Sequence, residues 1–174
     1  MYKTICFPLV VLLFGCATAP NEYESIHQYQ TNEPLSSDGQ ISVQTPKNAR
    51  FDETVYEDSG YKTAAAFKEA LESHAKAIKV IDTCELNNCL KQAKSNGSKY
   101  LMALNLIFWE DRATNWSGKA DRLTVKVSTY EVSSGDLLYM SYLHTNTSIY
   151  APSGGHVEDY LPFISNQYVS TLYK

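Results

Sequence analysis

Apolar residues recur with two different periods after about residue 39, which predicts alternating strands and helices. Between about Tyr61 and Ala75 they return every three or four positions and form one helical stripe. A shorter stripe ends at Asn96-Gly97, a typical helix stop. The predicted helices cover about 61–75, 86–95 and 157–172. The predicted strands lie at about 41–44, 78–81, 100–109, 123–127 and 137–148.

The element order predicts an α/β (α+β) fold, β-α-β-α-β-β-β-α, in one domain of two or three layers. Strands that are joined through helices tend to be parallel, and the last three strands should form an antiparallel meander. Together they predict a mixed sheet of about five strands. The order resembles that of the TolB amino-terminal domain and of the CsgG-like α/β fold, a resemblance that implies a fold and no activity.

The first sixteen residues, MYKTICFPLVVLLFGC, have the pattern of a secretion signal. The apolar run after Lys3 is about 10 residues long, too short to span a bilayer, which needs about 20. Leu13 to Cys16 resembles the bacterial lipobox, with Phe14 bulkier than usual. The resemblance implies cleavage before Cys16, diacylglycerol on its sulfur and acylation, as by palmitate, of the new amino terminus. The alternative is an ordinary cleaved signal.

Lipidation would make the protein a membrane resident, because two or three acyl chains anchor far more firmly than one. Ala17 stands where the inner-membrane retention signal of enteric bacteria has Asp, so the resemblance implies the outer membrane, with the domain facing the periplasm. The polar stretch that follows predicts a flexible tether; an ordered segment packed by Tyr23, Ile26 and Tyr29 is the alternative. The predicted parts are a signal at 1–15, lipidated Cys16 with its tether at 16–38, and a periplasmic domain at 39–174.

Composition and cysteine content narrow the function classes. With a net charge of −4 and 44% hydrophobic residues, the chain is typical of a folded domain that does not bind nucleic acid. Cys84 and Cys89 predict a disulfide in an oxidising compartment, provided that Cys84 lies in the turn before the helix. Two thiols alone do not complete a metal site, and their spacing is not that of a redox motif. We predict no cofactor and no metal.

The densest candidate site is the stretch WEDRATNWSGKADR, which the pattern places in the hairpin between two strands. It resembles the signature of a family of uncharacterised bacterial lipoproteins with a domain of unknown function, over roughly residues 40 to 174. The resemblance implies no activity. The signature residues are Trp109, Glu110, Asp111, Arg112, Thr114, Trp116, Ser117, Gly118, Lys119, Asp121 and Arg122.

The chemistry of this hairpin disfavours catalysis. Glu110 and Asp111 are adjacent, so on a strand they point to opposite faces, and Ser117 lacks a nucleophile elbow. We therefore predict a membrane-anchored periplasmic lipoprotein that is not an enzyme and acts by contact with an envelope protein. The alternative is a module that binds peptidoglycan, another glycan or a peptide through the Trp109–Arg122 hairpin. Its partners would be membrane lipid through Cys16, an envelope protein or cell-wall glycan.

Overall fold

The computed structural model describes residues 22–31, 33–111, 121–146 and 156–174. The strands are β1 (Glu22–Gln30), β2 (Gln40–Gln44), β3 (Ala49–Phe51), β4 (Thr54–Tyr56), β5 (Ala77–Ile81), β6 (Tyr100–Glu110), β7 (Arg122–Glu131) and β8 (Leu137–Asn146). The helices are α1 (Ser59–Leu71), α2 (Leu86–Ser95) and α3 (Leu161–Leu172), the last preceded by a 3₁₀ turn at Val157–Tyr160.

Six strands form one mixed sheet in the order β1-β8-β7-β6-β2-β5. Strand β2 runs parallel to both β5 and β6, because a helix connects each successive pair along the chain. Strands β6, β7 and β8 form an antiparallel meander. The predicted α/β (α+β) class is confirmed, and the sheet has one strand more than the predicted five.

Strand β1 corrects the prediction of a polar tether over residues 16–38, since residues 22–30 belong to the sheet. It pairs antiparallel with β8 through its backbone. On its inner side the Tyr23 ring meets Phe163 edge-on at 5.6 Å, and His27 Nδ1 lies 2.8 Å from Ser141 Oγ. An edge strand with one side in water needs few apolar residues, which is why its sequence resembles a linker.

The two faces of the sheet carry different helices. On β6, Tyr100 and Met102 belong to the main core with α1 and α3, whereas Leu101 belongs to a smaller cluster with Cys89 and Ala93 of α2. Alternate residues of a strand point to opposite faces. Helix α2 therefore lies across the sheet from α1 and α3. It packs against β2, β5 and β6.

The β3–β4 hairpin is joined to the start of α1 by one buried hydroxyl. The Ala49 backbone N–H donates to Ser59 Oγ at 2.8 Å, and the Ser59 hydroxyl donates to the Tyr56 carbonyl at 2.7 Å. Because Ser59 is already helical, α1 begins two residues before the predicted Tyr61. This link holds Tyr56 over the sheet, where it contacts the candidate site.

The predicted Cys84–Cys89 disulfide is confirmed, with Cα atoms 5.5 Å apart. Cys84 precedes α2 and Cys89 lies inside it, as a bridge at this spacing requires. The bond ties the start of α2 to the loop after β5.

Removing this disulfide should lower the free energy of unfolding by about 2 kcal/mol, the chain-entropy value for so short a loop. The change is Cys84→Ser with Cys89→Ala, since Cys89 is buried and Cys84 is not. Urea unfolding with and without reductant measures it. The wild type should lose stability on reduction and the variant should not; equal sensitivity of the two proteins would contradict the expectation.

Candidate functional site

Trp109 ends in the core because of a one-residue irregularity in β6. Leu106 faces the main core, so strict alternation would turn Trp109 toward the other side. The pairing of β6 with β7 shifts between Leu106 and Phe108. A bulge of this kind reverses the alternation beyond it. Trp109 is consequently only 3% exposed, while Phe108 is 53% exposed on the opposite face.

The Trp109 indole is closed off by the β3–β4 hairpin. Its ring centroid lies 6.3 Å from that of Tyr56, at an interplanar angle of 42°. With so little exposed surface, Trp109 has no face on which a sugar or a peptide could stack. Its position closes the core at this end of the sheet.

Three charged residues of the signature surround the hairpin base. Glu110 lies directly opposite Arg122 across the β6–β7 pair. Glu110 and Asp121 are buried, whereas Arg122 is exposed. Both buried residues have interaction partners, as buried polar groups must if they are not to destabilise the fold. They are therefore parts of the hairpin's framework.

Asp111 connects this hairpin to the start of the last helix. Its carboxylate lies 3.1 Å from Nδ1 of His156, and the Asp159 carboxylate accepts the backbone N–H of His156 at 2.9 Å. The hydrogen bond and charge of Asp111 raise the pKa of His156 above its ordinary value. The pair thus stabilises the fold below the ordinary pKa of histidine, and this stabilisation is lost as pH rises through the raised His156 pKa. Because the imidazole is exposed, that contribution is small.

The other signature residues lie outside the described residues, as does Cys16; they are Arg112, Thr114, Trp116, Ser117, Gly118 and Lys119. Among the described residues, no group of three His, Cys, Asp or Glu side chains could hold a metal ion.

A second surface, which the sequence analysis did not identify, lies on the sheet face that bears α2. This helix covers β2, β5 and part of β6, and no described helix packs closely on the outward residues of the neighbouring strands. We call the uncovered part the open face. Its exposed apolar side chains are Ile26, Tyr29, Ile107 and Phe108. Its half-buried members are Lys126, Met140, Tyr142 and His144.

Cross-strand contacts order the centre of the open face. Thr124 Oγ1 and His144 Nδ1 are 2.8 Å apart, and Lys126 Nζ lies 5.8 Å from the centroid of the Tyr142 ring. Glu24 of β1 lies directly opposite His144 of β8 in the strand pairing. The open face therefore has an acid on its outer strand, aromatic rings on β8 and a base on β7. No local pattern brings these residues together, because they come from distant parts of the chain.

The comparisons with known proteins assign a family and a fold. The family model described as "Domain of unknown function (DUF4823)" matches residues 33–172. No curated protein matches the chain. Whether the fold is also that of TolB or CsgG stays a prediction.

Two solved structures share the fold at low sequence identity. A PelC dodecamer from Paraburkholderia phytofirmans has a TM-score of 0.67 at 13% identity, over 87% of this chain and 97% of that one. Protein XCC0632 from Xanthomonas campestris, of the DUF330 family, has a TM-score of 0.53 at 15% identity, over 83% of this chain and 90% of that one. At such identities, the likeness establishes the architecture alone.

Proposed function

The chain belongs to the DUF4823 family, and we propose that it is a lipid-anchored protein of the bacterial outer membrane that acts by protein contact, without catalysis. The contact is between copies of the chain, through the open face. The observation that carries this proposal is the set of exposed apolar side chains on β1 and β6, on a sheet face that no described helix covers.

The anchor is supported by the lipobox-like Leu13–Cys16. None of the helices among the described residues is long and apolar enough to cross a membrane. Since β1 begins at Glu22, residues 17–21 alone connect the sheet to Cys16. Five extended residues reach at most roughly 17 Å. The β1 start, beside the Glu110–Arg122 end of the hairpin, is thus held close to the lipid.

The open face is suited to self-association because it is complementary to itself in charge. Strand β8 lies in the middle, with Glu24 of β1 on one side and Lys126 of β7 on the other. A two-fold axis along β8 would place β1 of one copy over β7 of the next, so that Glu24 falls opposite Thr124, two residues from Lys126, whose long side chain can reach the Glu24 carboxylate. Two sheets stack face to face at about 10 Å, which would cover Ile26 and Tyr29 of each copy with β7 of the other. Closed symmetry of this kind is the common form of homo-oligomers.

The fold neighbour PelC is described as a dodecamer, which supports a scaffold able to assemble with itself. Exposed apolar side chains on both sides of one sheet face are typical of a contact site rather than of a surface left in water. Trp109 is buried and therefore cannot serve the glycan-binding alternative. Glycan binding would have to use the loop residues that lie outside the described ranges.

Sedimentation velocity on the detergent-solubilised protein tests the self-association. The wild type should sediment as an associated species. Glu24→Lys, which sets two positive charges against each other, should weaken association at least roughly tenfold, since like charges across an interface cost several kcal/mol. Combining Glu24→Lys with Lys126→Glu should restore it.

A matched control is Glu69→Lys, an exposed acid on α1 at the opposite face, which should leave association unchanged. A wild type that is monomeric at every concentration, or a double variant that stays as weak as Glu24→Lys, would refute the proposed contact.

A further inference from the structure

A cavity of about 290 Å³ lies between α2 and the sheet, next to the disulfide. It is bordered by Gln44 at the end of β2 and by Thr83 and Cys84 after β5. Both of these parallel strands point their carboxyl ends toward it. In open α/β sheets, ligands bind preferentially in the crevice at those ends. The volume is just below the usual range of small-molecule sites, about 300–1,000 Å³.

The described charged residues that line the cavity are both basic. Among the described residues that line it, Lys47 and Lys126 are the charged ones, and neither is in an ion pair. The Lys126 ammonium lies near the Tyr142 ring, a contact that leaves its N–H donors available. In a protein with net charge −4, a wall with two unpaired lysines and no acid is selective for an anion.

The remaining lining residues form one polar side and one apolar side of the cavity. Asn105 and Ser128, on neighbouring strands, supply an amide and a hydroxyl. Leu86 and the disulfide supply an apolar wall. Small-molecule sites commonly have this composition, in which apolar walls hold the body of the ligand and a few polar groups set its orientation.

We propose that this cavity binds a small organic carboxylate, whose carboxyl group lies between Lys47 and Lys126 and whose apolar part lies against Leu86 and the disulfide. A carboxylate with an apolar part fits better than inorganic phosphate, because the apolar wall at Leu86 and the disulfide is matched only by a ligand that has an apolar part. The disulfide has a role in this site, since it fixes the α2 start that forms one wall.

Isothermal titration calorimetry on the detergent-solubilised protein tests this proposal, with N-acetyl-alanyl-alanine as the probe and its carboxamide as the uncharged match. The free acid should bind saturably and the carboxamide at least roughly tenfold more weakly, since a hydrogen bond to a charged group is a strong one. Lys47→Met and Lys126→Met should each weaken binding of the acid by a similar factor. Lys94→Met, an exposed lysine of α2 outside the cavity, should not.

Three results would overturn the proposal: no saturable binding of the acid, equal binding of acid and carboxamide, or binding unaffected by Lys47→Met. Inorganic phosphate that binds more tightly than the acid would overturn the choice of carboxylate. Lys126 takes part in both this proposal and the self-association, whereas Lys47 belongs only to the cavity and Glu24 only to the contact between copies. Lys47→Met should leave sedimentation unchanged, and Glu24→Lys should leave binding of the acid unchanged, so either claim can fail alone.

Discussion

Replacing Trp109 with alanine should lower the free energy of unfolding by about 3–5 kcal/mol, the usual cost of truncating a buried tryptophan. The indole is 3% exposed and packs against Tyr56. Its loss would leave a void under the β3–β4 hairpin that neighbouring side chains cannot fill. Urea unfolding followed by far-ultraviolet circular dichroism measures the change without relying on tryptophan fluorescence.

The adjacent residue provides a matched control. Phe108→Ala removes an aromatic ring that is 53% exposed on the other side of the bulge, so it should cost within about 1 kcal/mol of stability. Trp109→Phe, which keeps a ring in the core, should lie between the two. If Trp109→Ala were as stable as Phe108→Ala, the bulge would not direct Trp109 into the core.

Replacing Cys16 should release the protein from the membrane. The variant carries Cys16→Ala behind a cleavable leader that lacks a lipobox, so that no uncleaved signal holds it. Each buried methylene contributes about 0.8 kcal/mol to membrane binding, so two or three acyl chains make the wild type a permanent resident. The wild type should remain in the membrane pellet until detergent is added, and the variant should appear in the soluble periplasmic fraction.

The double variant Cys84→Ser with Cys89→Ala is the matched control. It removes the two disulfide-bonded cysteines, which are distant from Cys16 in the sequence, and should remain membrane-bound. Intact mass gives a second readout, because the wild-type chain should begin at Cys16 and carry fatty-acid mass there. A Cys16→Ala protein that still pellets with the membrane would rule out the lipid anchor.

The strands and helices of the central fold could be predicted because their side chains face two different environments. Leu123, Val125 and Val127 alternate with polar residues, as a strand buried on one face requires. Strand β1 escaped prediction because it is a polar edge strand held by backbone hydrogen bonds with β8. Backbone hydrogen bonds do not require particular side chains, so the sequence of such a strand resembles that of a linker.

The candidate site was harder to predict, for a similar reason. The apolar run before Glu110 has no alternation, so nothing in it marks the bulge that sends Trp109 inward and Phe108 outward. The disulfide could be anticipated, because its geometry depends on a local turn before α2. The open face could not, because Glu24, Phe108 and Tyr142 are brought together only by the order of the strands.

Self-association through the open face is tested most directly by crosslinking Tyr142→Cys in intact cells. Tyr142 lies on β8, next to the expected two-fold axis, and the stacked sheets should hold the Cα atoms of the two introduced cysteines about 10 Å apart, so that a linker no longer than this joins their thiols. A bismaleimide of that span should therefore give a covalent dimer, while Cys84 and Cys89 remain bonded to each other. Glu69→Cys, on α1 at the opposite face, should give none. A dimer at both positions, or at neither, would contradict the account.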